Sequence, residues 1–491
     1  MKPRLRLAGA MLAGITLGGC TVGPNFVRPS PPALAYAQAV PPDTATRSIS
    51  YGADVAADWY RLFQSAALDQ LVHAALAGNP DLEAARHGLR AAQYELKAVA
   101  GAQLPQFDAS GQIGRAHING SFLYAPVDAI SATGNRWELG PALAYNLDPF
   151  GGTRRGIEST RAQTAVVRDQ VLNTYATLVD QTVLAAFDYA AAGAQIDVTG
   201  ALVNELQAQL ELTRALENAG KITRSETLLA QTQLENVKAT LPALQQQRDT
   251  YRNALAQLCG TSPDAFVLPR LVLREFALPH NLPLSLPSSL VRQRPDVLAA
   301  EDSLHQASAA IGVAEAARLP ALTISAQYAQ QTTMLNEFLT RPGAIWSVGL
   351  NASAPLFHGG TLAARQHEAE ERYQQALASY RSTVIGAFVE VANALQALEH
   401  DAESYTAHGR ALEAAAADRD LALAQYRAGK YTELQVLTAE QQYQQAALTQ
   451  VQADVQRFTD TATLFRALGG GWWSAPQDPA ALAAAAGDQH E

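Results

Sequence analysis

The chain has 491 residues, with 46 Asp and Glu against 36 Lys and Arg, a formal net charge of −10 and two cysteines. Its length predicts about three domains and suffices to bury a sizeable core without a metal or disulfide staple. Two cysteines exclude a disulfide-rich secreted scaffold, and the acidic balance excludes nucleic acid as a partner, which demands a basic face. Aromatic residues make up only 7% and charged residues 17%. Together with abundant Ala, Leu, Gln and Arg, this predicts a mainly helical chain in which small residues bring backbones close.

The N-terminus carries Lys2, Arg4 and Arg6, then a short apolar stretch from Leu7 to Thr16, then Leu17-Gly18-Gly19-Cys20. A basic start followed by an apolar segment too short to span predicts an export signal over residues 1–19. The Leu-Gly-Gly-Cys ending resembles a bacterial lipobox, which implies a covalent lipid on Cys20, and Thr21 in place of Asp resembles the pattern sorted to the outer membrane. Residues 20–58 hold Pro24, Pro29, Pro31, Pro32, Pro41 and Pro42, so a lipidated N-terminus would continue into an extended linker. No later stretch reaches about 18 uninterrupted apolar residues, so the mature chain is held by lipid or spans as strands. The second cysteine, Cys259, reads as a small buried hydrophobe.

The chain then repeats itself. Asn79-Pro80-Asp81 returns as Arg294-Pro295-Asp296, and Leu104-Pro105 as Leu319-Pro320. Trp137 returns as Trp346, Phe150-Gly151-Gly152 as Phe357-His358-Gly359-Gly360, Ala219-Gly220-Lys221 as Ala428-Gly429-Lys430, and Gly260 as Gly469. Six landmarks in order mark a two-fold duplication with a period of roughly 210 residues, far beyond solenoid repeats. The expected organisation is a first repeat over 59–260, a linker over 261–290, a second repeat over 291–472 and a flexible tail over 473–491.

Within each repeat, two periods alternate. Trp137, Leu139, Pro141, Leu143, Tyr145 and Leu147 alternate with polar or small residues, as do Trp346, Val348, Leu350, Ala352 and Leu356, and Leu322, Ile324, Ala326 and Tyr328. Phe107, Ala109, Gly111 and Ile113 do so more weakly. A period of two predicts strands with one apolar face, arranged as hairpins over about 106–148 and 321–356. Pro105 and Pro320 end the helices before them. Strands of about ten residues suit a transmembrane barrel, although a soluble sheet with one wet face alternates equally well. Residues 153–218 lack proline and predict a helix of about 65 residues, roughly 100 Å long; residues 361–427 match them. Leu234, Val237, Leu241 and Leu244, and Leu434, Leu437, Gln441, Gln444, Leu448, Val451, Val455, Phe458, Ala462 and Phe465, step by three and four like a coiled-coil seam. Pro242 predicts a kink, and Gly220 and Gly429 stand where each long helix must turn back.

Four strands cannot close a barrel, since about eight is the smallest number that does so around filled side chains. Open strand edges cannot face lipid, where each unpaired backbone group costs several kcal/mol. Transmembrane strands would therefore require several copies of the chain.

These landmarks together resemble the outer membrane factor family, the TolC-like channels, and within it the lipoprotein (NodT-like) branch of RND-type efflux channels. The resemblance rests on Cys20-Thr21-Val22-Gly23-Pro24, Trp59 with Leu62-Phe63, Ala77 to Leu82, Arg294-Pro295-Asp296-Val297, Ala310 to Ala314 with Pro320, Pro355-Leu356-Phe357 with Gly359-Gly360, and Leu468 to Trp472. It implies a mainly α chain with membrane β, in which an internally duplicated helix–β-hairpin–helix unit forms a homotrimer. Its twelve strands would make one transmembrane β-barrel in the outer membrane lipid, continued by a trimeric α-helical tunnel. The implied partners are a periplasmic adaptor and, through it, an inner-membrane efflux pump; no cofactor is implied beyond the lipid on Cys20.

The family closes its periplasmic aperture with a tyrosine before the second turn and a leucine and an aspartate after it. Those positions fall on Tyr426, Leu434 and Thr438, the last a departure that weakens any acidic ring there. Tyr426 and Leu434 read equally as packing residues, and Lys221 and Lys430, beside Gly220 and Gly429, as adaptor-docking residues or solvated charges. The sequence carries no phosphate loop, His-Glu-x-x-His or Gly-x-Ser-x-Gly elbow, so the expectation is a conduit rather than an enzyme. A lipid-anchored periplasmic coiled-coil adaptor or structural protein is the alternative.

Overall fold

The computed structural model describes residues 21–30, 48–119, 131–284, 287–332, 334 and 343–472. The predicted export signal, Cys20, residues 31–47 of the proline-rich linker and the tail over 473–491 lie outside the described residues. The chain is mostly helical, and none of its described helices is long and apolar enough to cross a membrane.

The elements fall into two matching series. The first holds α1 (Ala66–Gly78), α2 (Pro80–Gly101), the strands β2 (Gln106–Asn119) and β3 (Ser131–Asn146), α3 (Gly152–Asn218) and α4 (Arg224–Leu258). The second holds α5 (Pro287–Gln293), α6 (Pro295–Ala316), β5 (Ala321–Thr332), β6 (Ala344–Ser353), α7 (Thr361–Arg427) and α8 (Glu433–Ala467). The helices α2 and α6 both have 22 residues, α3 and α7 both 67, and α4 and α8 both 35. Helix α4 runs through Pro242 without interruption. The segment between the series and the linker before the first are not featureless: β1 (Ser48–Tyr51) pairs in parallel with β4 (Asn281–Leu284).

Instead of three domains, the chain forms two compact units, and α2, α3, α6 and α7 are divided between them. One unit, built from residues up to 29, 91–166 and 300–380, contains an antiparallel sheet in the order β2-β3-β5-β6. Register decides its chemistry. Phe107 faces Leu143, Ile113 faces Trp137, Leu143 faces Ala326, Ile324 faces Leu350 and Tyr328 faces Trp346. Residues directly opposite in an antiparallel ladder lie on the same face, so the four apolar stripes merge into one apolar surface. The other surface carries Asp108, Ser110, Gln112, Glu138, Asn146, Thr323, Ser325, Gln327, Ser347 and Asn351. Phe107, Ile113 and Trp346 are each 72% exposed in the single chain. A large exposed apolar surface marks an interaction with lipid or protein. Among the described residues, the outer strands β2 and β6 have no partner on their outer edges.

The other unit, built from residues 30–90, 167–299 and 381–491, concentrates the scarce aromatic residues. Phe63 and Phe187 meet edge to face with centroids 4.9 Å apart, Trp59 and Phe465 lie at 5.3 Å, and Phe187 and Phe458 at 5.4 Å. Each such side chain contributes about 1.5–3 kcal/mol on burial, and the T-shaped contacts add to this. The residue before each helix-starting proline fastens its series. Asn79 caps Leu82 N at 2.9 Å and donates to Leu258 O at the end of α4 at 3.0 Å. Arg294, 6% exposed, donates to Ala467 O at the end of α8 at 2.9 Å and pairs with Asp296 and Glu390 at 2.7 and 2.8 Å. Cys259 is a buried thiol, 4% exposed and pushed up to about 11 by desolvation, as expected of a small packing residue.

Candidate functional site

The helical turns at the ends of α3 and α7 have the same construction. At the first, Lys221 N donates to Leu216 O at 2.9 Å and Gly220 N to Glu217 O at 2.8 Å; at the second, Lys430 N donates to Gln425 O and Gly429 N to Tyr426 O, both at 2.9 Å. These paired bonds are a Schellman cap, which needs a left-handed residue. Gly220 and Gly429 supply it with φ of 67° and 70°. Gly220, Lys221, Gly429 and Lys430 are all exposed. The return into α8 is fixed by Thr432 N, which donates to Gln435 Oε1 at 2.8 Å.

The three residues at the predicted aperture positions divide between two faces. Leu434, 61% exposed, and Thr438 lie one turn apart on the outward stripe of α8. The Thr438 hydroxyl donates back to Leu434 O at 2.8 Å, so its proton is satisfied within its own helix and the position adds no charge. Tyr426 points the other way: it is 8% exposed and packs with Ala422, Val436 and Ala439.

The predicted seam on α8 holds at Leu437, Phe458, Ala462 and Phe465, which are buried, and departs at its start. It places Leu434 and Gln441 inward, whereas the structure buries Glu433, Val436, Leu437, Ala439, Glu440 and Ala447. A hydrophobic count assigns carboxylates to solvent, and here two of them occupy the inner stripe. Glu433 and Glu440 are 1% and 2% exposed. Gln209 of α3 donates to Glu433 Oε2 at 2.9 Å. The spacing of Glu433 and Glu440 around Val436 and Leu437, in phase with the apolar residues, was the available signal.

A second group of functional interest lies in the sheet-bearing unit. Residues 22–28, just after the predicted lipidation position, are strapped down. Val22 N donates to Phe150 O at 3.0 Å. The Arg155 guanidinium donates to Val22 O at 3.0 Å, Gly23 O at 3.0 Å and Asn25 Oδ1 at 2.9 Å, and it pairs with Glu158 at 2.7 Å. Glu158 bonds His305 at 3.0 Å, Phe26 stacks on the His305 ring at 4.4 Å, and Arg28 pairs with Glu301. Gly312 leaves the strap its space, since a Cβ there would lie 2.8 Å from Val22 O. Arg155 is 4% exposed, whereas its neighbour Arg154, paired with Asp148 at 3.4 Å, stays partly in solvent.

A family model described as outer membrane efflux protein matches residues 71–261 and 286–470. The pyoverdine export outer membrane protein OpmQ of Pseudomonas putida is 27% identical over 423 residues, covering 84% of this chain and 88% of that protein. The outer membrane protein OprJ of Pseudomonas aeruginosa is 27% identical over 481 residues, covering 94% of this chain and 95% of its own. The solved structure of the outer-membrane channel OprN superimposes with a TM-score of 0.82 at 29% identity, covering 92% of this chain and all of that one.

Proposed function

The chain belongs to the outer membrane efflux protein family, and from that premise we propose that it is the outer membrane channel subunit of a tripartite efflux system. It would conduct cargo passively from a periplasmic adaptor and inner-membrane pump to the exterior, catalysing nothing itself. The observation that carries the reading is the sheet β2-β3-β5-β6. One face is apolar and exposed, and among the described residues both edges are open, a combination that needs lipid on the face and neighbouring copies on the edges.

In this reading three chains join edge to edge into a twelve-stranded barrel, and the long helices supply a tunnel. The turns at Gly220-Lys221 and Gly429-Lys430 meet the adaptor. The outward stripe of Leu434 and Thr438 lines the aperture, with Tyr426 bracing it from behind. The lipid on Cys20 anchors the strap that Arg155 holds. Cargo choice belongs to the pump.

The test is conductance in planar bilayers by heat-modifiable trimers purified from outer membranes. Channels that open more readily in Leu434→Ala are expected. Absence of any conductance, even with the aperture widened by that substitution, would defeat the proposal. Cys20→Ser is expected to abolish lipid labelling, and labelling that persisted would defeat the anchor.

A further inference from the structure

The start of α8 buries more acid than its packing requires. Glu433 is the first residue of α8, and Glu440 follows two turns later on the same inward stripe. Between them, Leu437 packs against Leu202, Leu206 and Leu210 of α3 and Leu234 and Val237 of α4, while Val436 and Ala439 pack against Ala422 and Tyr426 of α7. Apolar side chains at 433 and 440 would complete this stripe. A buried carboxylate is costly unless fully partnered, and these are not. Among the described residues, Glu433 Oε1 and Glu440 Oε2 have no hydrogen-bond partner, while Glu433 Oε2 accepts from Gln209 and the buried Tyr426 hydroxyl is directed at Glu433.

The charges around the pair do not neutralise it. Glu226 on α4 faces Glu433, Glu205 on α3 faces Glu440, and the two acids face each other along α8. Among the described residues, the cation directed at Glu440 is Arg419 of α7. It is engaged elsewhere, with Glu205 at 3.4 Å and Asp420 at 2.9 Å, its guanidinium 4.1 Å over the Tyr443 ring. The side chain next to Glu433 is Leu434, on the exposed stripe assigned above to the aperture.

We propose that Glu433 and Glu440 are positioning residues for that aperture: as neutral acids they hold the start of α8 against α3 and α7, and their ionisation releases it, so that opening is coupled to loss of protons. The inference rests on the channel reading. Burial is the main cause that raises both carboxyls, Glu440 to about 7, with the neighbouring acids adding to it. A raised value in the packed state means that protonation stabilises packing. That stabilisation is complete below the ordinary carboxylate value of 4.5 and is lost as pH rises towards about 7.

The experiment is single-channel recording of the full-length trimer from pH 4.5 to 8. Wild type is expected to raise its open probability about tenfold or more across that window, since each pH unit by which a carboxyl's pKa differs between the packed and released states shifts their balance about tenfold. Glu440→Gln keeps the neutral shape and is expected to flatten most of the profile, Glu433→Gln to flatten it in part, and the two together to stay as closed at pH 8 as wild type at pH 4.5. A flat wild-type profile, or a Glu440→Gln profile parallel to wild type, overturns the latch. Should Glu440→Gln fail to form trimers, the wild-type profile and Glu433→Gln still decide it. Channels that conduct without this pH dependence defeat the latch alone, whereas failure of wild type and Leu434→Ala to conduct at any pH defeats the channel reading.

Discussion

Replacing Arg155 by Ala tests the strap at residues 22–28. The side chain is 4% exposed and donates to Val22 O, Gly23 O and Asn25 Oδ1 at 3.0, 3.0 and 2.9 Å. Hydrogen bonds from a charged donor contribute about 1.5–3 kcal/mol each. They are not additive around one guanidinium, and the strap keeps its Phe150 bond, its His305 stack and the Arg28–Glu301 pair. A net loss of about 3 kcal/mol is expected, which is about a hundredfold in the opening equilibrium of the strap. Hydrogen exchange of the detergent-solubilised protein measures it directly, because the Val22 amide exchanges only when its bond to Phe150 opens. Exchange across residues 21–28 should accelerate about a hundredfold, while amides of β3 keep their wild-type rates. Unchanged protection over 21–28 would refute the clamp. Acceleration spread evenly over the sheet would refute its local character.

Other expectations follow from the same geometry. Gly429→Ala places a Cβ in a left-handed residue with no heavy atom within 4 Å, so its cost is backbone strain alone, about 1 kcal/mol. It should appear as faster exchange at the end of α7, and Gly429→Asn should cost less. Asp180 is buried beside Arg466 at 3.5 Å, and desolvation raises its carboxyl to about 6. Its contribution to stability is therefore present below about 4 and lost as pH rises through about 6; Asp180→Asn should remove about 2 kcal/mol of the stability difference between pH 4 and 7 in urea unfolding. Cys259, buried and held as a thiol, should resist maleimide at pH 7.5 in the native protein and react once the chain is unfolded.

The sequence reveals structure most clearly where one period controls one environment. Trp137 to Tyr145 alternate because one side of β3 is apolar over that stretch, and that pattern survives without knowledge of its neighbours. Gly220 and Gly429 are legible because a left-handed helix end admits few other residues. The inner stripe of α8 is not legible in this way. Its first positions are interrupted by Glu433 and Glu440, and a reading that sends charge to solvent misplaces the start of the stripe, although Leu437, Phe458, Ala462 and Phe465 fall where the spacing puts them. Arg155 is hidden for a related reason: its partners are the carbonyls of Val22 and Gly23, backbone groups more than a hundred positions away that carry no sequence signal.

The matched helix lengths impose a constraint of their own. The helices α3 and α7 are 67 residues each, and α4 and α8 are 35 each, although residues at corresponding positions differ as much as Asn79 and Arg294 do. One residue added to a helix advances everything beyond it by about 1.5 Å and turns it by about 100°. A single alanine inserted after Glu433 would swing Glu440 off the inward stripe and bring other side chains into it, without removing any side chain. The helix can therefore accept many different residues at Leu434 while tolerating no change in their number. In this chain a gap is a more severe lesion than a substitution, and the residue count between Gly220 and Gly260, and between Gly429 and Gly469, acts as a ruler that both halves must read alike.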